Sequence, residues 1–173
     1  MADPSLFDAL RIPSDALAAI DNRTLHFAMQ PWHHVVRLGH VLSMAGFFGG
    51  IALLDLRLMR FGSAIPLKTV LDHVLPFEYA MLAMTVATGV ALFLYDPVHV
   101  GSHAYFAPKL ILMLLGLINA LICNWFIYDD ASNLRLGIPR AARLFGMTSL
   151  LLWLAVMVCA SVNVETAPRV LLR

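Results

Sequence analysis

Ionisable side chains follow one face of an otherwise apolar stretch, residues 33–60. At about 100° per residue on an α-helix, His33, Arg37, His40 and Asp55 fall within a sector of about 60°. An ionisable residue inside a membrane span costs on the order of 2.5–3.5 kcal/mol at mid-helix and is by default a candidate for a functional site. We therefore expect this face to contact protein rather than lipid.

His40 is the deepest imidazole on this face, about 8 Å into the predicted span. Imidazole is an axial ligand of haem iron, and Arg37 and Lys109 could pair with haem propionates. Gly46 and Gly50 admit either a planar ring or the close approach of another helix. This pattern favours a b-type haem at His40.

A structural role for His40 stays open, because a neutral imidazole bonded to a carbonyl or to Asn119 would also be satisfied. A second possible site is copper or zinc at the aqueous boundary, and a thioether such as Met29 would favour copper. Its ligands would be other histidines at the same end of the bundle, namely His33, His34, His99 and His103. Solvated loop and interface histidines are the alternative interpretation of these four.

The composition indicates which class of protein contains these residues. Of 173 residues, 60% are hydrophobic and 13% are charged, and the mean hydropathy is +0.78. Soluble domains are about one quarter charged, so the lipid bilayer is the expected partner. The net charge of +1, without a basic run, excludes nucleic acid as a partner. No nucleotide-binding or zinc-protease motif occurs, and catalytic residues stay unassigned.

The apolar runs predict an all-α integral membrane protein, an up-down four-helix bundle with an N-terminal interfacial amphipathic segment. That segment comprises residues 1–32, and the membrane domain comprises residues 33–173. The predicted spans are about 33–60, 75–95, 106–128 and 144–162. In this scheme Pro76 and Glu78 lie in the first turn of the second span. Lys and Arg residues in the first and third connections predict external termini.

Several of these motifs resemble a family of uncharacterised bacterial four-span membrane proteins over about residues 30–128. The matching residues are His40, Gly46, Asp55-Leu56-Arg57-Leu58, Thr88-Gly89 with Leu92-Phe93, Phe106, Lys109 and Asn119. More distantly the chain is similar to cytochrome-b-like proteins, four-span copper-resistance proteins and haem-containing protoporphyrinogen oxidases. The resemblance implies the bacterial inner membrane, and haem or copper at His40.

The chain departs from the cytochrome-b-like pattern because predicted spans two to four contain no histidine. His99 or His103 folding inward would supply a second axial ligand; otherwise the iron would be five-coordinate, or the haem site would be absent. We expect electron transfer, with membrane quinone as donor or acceptor. The alternative function is a non-catalytic accessory subunit that packs into a larger membrane complex or homo-oligomer through its Gly46 and Gly50 face.

Overall fold

Four long apolar stretches form the main helices of the structure, a computed structural model that describes residues 10–62, 65–128 and 140–164. The helices in these residues are α1 (Ser14–Ile20), α2 (Arg23–Met29), α3 (His33–Leu58), α4 (Leu67–Tyr95), α5 (Pro97–Gly101), α6 (Phe106–Cys123) and α7 (Arg140–Val164). A π-helical turn, Asn124–Tyr128, continues α6. The predicted all-α four-helix bundle is confirmed.

Membrane-spanning length and composition are met by four helices: His33–Leu58, Leu67–Tyr95, Phe106–Tyr128 and Arg140–Asn163. Their outward faces carry large exposed apolar side chains, including Leu38, Leu42, Ile118 and Leu151. A soluble monomer rarely exposes apolar surface of this extent. The four apolar helices indicate a multi-pass membrane protein.

The bundle has one open side. Helix α3 packs along both α4 and α7, and α6 packs along α7, whereas α4 and α6 make only isolated contacts. One of these contacts is a parallel stack of Phe93 on Phe106, with ring centroids 5.3 Å apart. The stack joins α4 and α6 near the end of the bundle that holds α5, which we call the histidine end. We call the opposite end, near Asp55, the carboxylate end.

The second long helix begins earlier than the apolar run predicts. Helix α4 starts at Leu67, and Pro76 lies inside it rather than in its first turn. Leu67 and Leu71 are buried at i, i+4 spacing in a cluster with Leu58. Polar residues on the opposite face hide this amphipathic beginning from a hydropathy window. A proline within a membrane helix is tolerated where neighbouring groups satisfy the freed backbone.

The N-terminal segment packs onto the histidine end. Leu17 of α1 is 1% exposed, and its side chain contacts Gly101 of α5. In α2, the His26 ring stacks on Tyr95 with centroids 4.4 Å apart, and His26 Nδ1 lies 2.8 Å from the Tyr95 carbonyl oxygen. The apolar side of this segment is thus partly buried against protein, where the sequence predicted only the membrane surface. Residues 1–9 lie outside the described residues.

Candidate functional site at His40

His40 lies on α3 where that helix packs against α4. Seven residues separate it from the helix start at His33, or about 10 Å along the axis. Its Nδ1 is 2.9 Å from Thr88 Oγ1, and the Thr88 hydroxyl is 2.6 Å from the Met84 carbonyl oxygen. Because the hydroxyl donates to that carbonyl, its oxygen can accept the Nδ1 proton. This arrangement fixes the ring and leaves Nε2 as the nitrogen for a ligand.

Gly89 makes room for the imidazole. A Cβ atom at this position would lie 3.0 Å from His40 Cε1, closer than nine in ten such contacts. The small residue therefore allows the ring to lie against the backbone of α4. In the sequence, the dipeptide Thr88-Gly89 is only part of a matching motif. Both residues contact His40 directly.

Lys109 of α6 completes the surroundings of His40. It is the charged group whose electrostatic field acts on the imidazole. Its ammonium lies over the Phe106 ring, 5.1 Å from the centroid, in a cation–π contact. Phe106 in turn stacks on Phe93, one turn beyond Gly89. The motifs on α3, α4 and α6 thus meet at one level of the bundle, on its open side.

Polar contacts continue from His40 along the α3 and α4 interface. The Ser43 hydroxyl donates to the His40 carbonyl oxygen at 3.0 Å, and the Thr85 hydroxyl donates to Ser43 Oγ at 3.0 Å. The bond from Thr85 to Ser43 thus joins α4 to α3. Asn119 bonds elsewhere: its Nδ2 donates to the Phe145 carbonyl oxygen at 3.2 Å and joins α6 to α7. The alternative of a His40–Asn119 bond is therefore wrong.

Gly46 and Gly50 pack against side chains of α4 and leave no space there for a planar ring. A Cβ at Gly46 would meet the Met81 sulfur at 2.9 Å, and one at Gly50 would overlap the Glu78 carboxyl group. Both glycines therefore serve close helix packing within the chain. A partner subunit would have to bind another face.

The other predicted ligands form two separate pairs. The rings of His33 and His34 are 5.2 Å apart, and those of His99 and His103 are 5.1 Å apart. His33 also stacks on Tyr95, with centroids 4.7 Å apart. Within the described residues, no three His, Cys, Asp or Glu side chains are grouped so as to hold a metal ion. The structure therefore does not gather the four histidines of the proposed boundary copper site.

Arg37 is exposed one turn before His40.

His73 lies within α4 because that helix begins early, so the second long helix does contain a histidine. It is exposed near the carboxylate end and bonds the Thr69 carbonyl oxygen of its own helix at 2.8 Å. It is not a second ligand for a group bound at His40.

Comparison with protein-family models, curated proteins and solved structures finds no match. The resemblance to four-span bacterial membrane proteins stays a prediction based on its motif residues.

Proposed function

We propose that this protein is a membrane redox protein that binds one b-type haem through His40 and exchanges electrons with membrane quinone. The observation that carries the proposal is the contact of Thr88 and Gly89 with the His40 imidazole, on which the charge of Lys109 also acts. These residues come from two different helices, α4 and α6.

The residues at this site fit a haem with a single protein ligand. His40 offers Nε2, since Nδ1 is engaged with Thr88. Lys109 provides a cation inside the bundle, and Arg37 provides another on the exposed side of α3. Either side chain can pair with a propionate carboxylate. His26 and His33 are both stacked on Tyr95, so the histidine that would hold the haem is His40.

When bound, haem supplies reversible one-electron chemistry at the iron. The chain holds the ligand imidazole in one tautomer through Thr88, which raises its basicity. Gly89, which has no Cβ, leaves room for the Cε1 edge of the imidazole beside α4. At this level the stack of Phe93 on Phe106 joins α4 and α6, and a quinone would exchange electrons from the lipid side of these helices.

The proposed location is the bacterial inner membrane with both termini external. At the helix ends that flank the first connection, Lys68 of α4 is exposed, whereas Arg57 of α3 is buried and bonds the Ile65 carbonyl oxygen. Arg140 and Arg143 lie in the first turn of α7, after the third connection. Retention of these positive charges in the cytoplasm supports the orientation.

The test is an absorption spectrum of detergent-purified protein produced with adequate haem supply. We expect a Soret band that shifts on dithionite reduction, at about one haem per chain. Protein with no Soret absorbance under these conditions would overturn the proposal.

A further inference from the structure

Two acidic side chains are buried inside the bundle, one near its middle and one near the carboxylate end. Asp55 of α3 and Glu78 of α4 are each only 4% exposed. Both side chains line one cavity, where negative charges on the two carboxyl groups would repel each other. Glu78 is ten residues from Thr88, about 15 Å along α4. The pair is therefore separate from the His40 site.

Neither acid has a cationic partner in the described part of the chain. Both carboxyl oxygens of Glu78 and Oδ2 of Asp55 are buried without a hydrogen-bond partner among the described residues. Ser149 of α7 is the hydrogen-bonding neighbour of the Asp55 carboxyl group. Buried charges are ordinarily paired, since removal from water costs several kcal/mol per ion. These oxygens therefore need a cation or a proton from elsewhere.

Both acids line a cavity of about 220 Å³. Its other walls include Phe47, Tyr79 and Trp153, and the buried Trp153 Nε1 also lacks a partner among the described residues. None of the described residues that line the cavity is Lys, Arg or His. The cavity thus combines uncompensated acidic groups with aromatic walls.

The cavity lies on the open side of the bundle. Its lining comes partly from α4 and partly from α6, the two helices that barely touch. Tyr79 of α4 is 57% exposed and Leu121 of α6 is 53% exposed, so both also face outward. A ligand can therefore enter sideways from the lipid.

We propose that this cavity binds a small lipophilic organic cation, with its cationic head between Asp55 and Glu78 and its apolar part against the aromatic walls. A cavity of about 150 Å³ accommodates benzene, so the larger volume here suits one ring with a short ammonium group. Aromatic faces attract such cations once water is excluded. The assignment is independent of haem at His40.

The geometry favours an organic over an inorganic cation. Calcium takes about six to eight oxygen ligands, and magnesium needs a near-octahedral set. Here two carboxyl groups face walls that are otherwise largely apolar, and the described residues include no third acid or imidazole grouped with them. A bare ion would be under-coordinated, whereas an alkylammonium needs few hydrogen bonds.

The probe is radiolabelled benzyltrimethylammonium, measured by equilibrium binding to the full-length purified protein. We expect one site per chain, and an affinity at least about tenfold weaker in Glu78→Gln and in Asp55→Asn. The matched control is Asp72→Asn, since Asp72 is an exposed acid on α4, paired with Lys68 at 3.1 Å. Its affinity should stay within about twofold of wild type. Equal binding by all four proteins, or no binding by wild type, would overturn the proposal.

A second measurement needs no substitution. A hydrophobic carbodiimide adds to a protonated carboxyl group, and mass spectrometry of the wild-type protein identifies the modified residue. Benzyltrimethylammonium should slow modification of Glu78, whereas its uncharged isostere neopentylbenzene should not. Equal protection by both compounds would contradict recognition of charge. Displacement of the probe by sodium at millimolar levels would reassign the site to an inorganic cation and overturn the organic assignment.

Discussion

The carboxyl group of Glu78 occupies the space in which a side chain at Gly50 would begin. The absence of a Cβ on α3 thus lets α4 place a buried acid directly against the neighbouring backbone. Small residues at helix interfaces permit this close approach in membranes. The adjacent Gly49 is exposed, and a Cβ added there would meet no atom within 4 Å.

Gly50→Ala should therefore destabilise the protein, by about 1–3 kcal/mol from overpacking. Gly49→Ala is the matched control, and it should be neutral or stabilising because alanine favours helix. Thermal unfolding in detergent, followed by circular dichroism, measures both. Combining Gly50→Ala with Glu78→Ala should restore much of the lost stability. Equal unfolding temperatures for the two glycine variants would show that Glu78 does not lie against position 50.

Thr88→Val should weaken haem binding by about 10–100-fold, because the imidazole loses the group that fixes its tautomer. Thr88→Ser keeps the hydroxyl and should bind nearly as wild type does. Titration of haem into the purified apoprotein, followed at the Soret band, gives both affinities. Unchanged affinity in Thr88→Val would remove Thr88 from the site.

The orientation is tested by cysteine labelling in a variant without Cys123 and Cys159. A cysteine at the exposed Ser102 should react with a membrane-impermeant maleimide in intact spheroplasts. A cysteine at Lys68, exposed near the opposite end, should react only after permeabilisation. The reverse pattern would place the termini in the cytoplasm.

Sequence reasoning found the helices because hydropathy depends on composition over a whole span. Three of the four begin within about four residues of the predicted position. The exception is α4, where Lys68, Asp72 and His73 interrupt the apolar run although Leu67 and Leu71 are buried. Amphipathic extensions of this kind are detected by helical periodicity, not by mean hydropathy.

The candidate site was only partly predictable. The depth of His40 and the importance of Lys109 follow from the cost of a polar group in a span. The partnership of His40 with Thr88 depends on the rotation of α4 about its axis, which a single sequence does not define. For the same reason Glu78 was assigned to the first turn of a helix, although it is buried against Gly50 and coupled to Asp55.

The most direct test of the central claim is the haem content of three proteins purified identically: wild type, His40→Ala and His73→Ala. His73 is the matched control because it is an exposed histidine of a long helix whose Nδ1 bonds the Thr69 carbonyl oxygen of the same helix. We predict about one haem per chain in wild type and in His73→Ala, and loss of the Soret band in His40→Ala. Full haem content in a folded His40→Ala protein would contradict the assignment of His40 as the ligand.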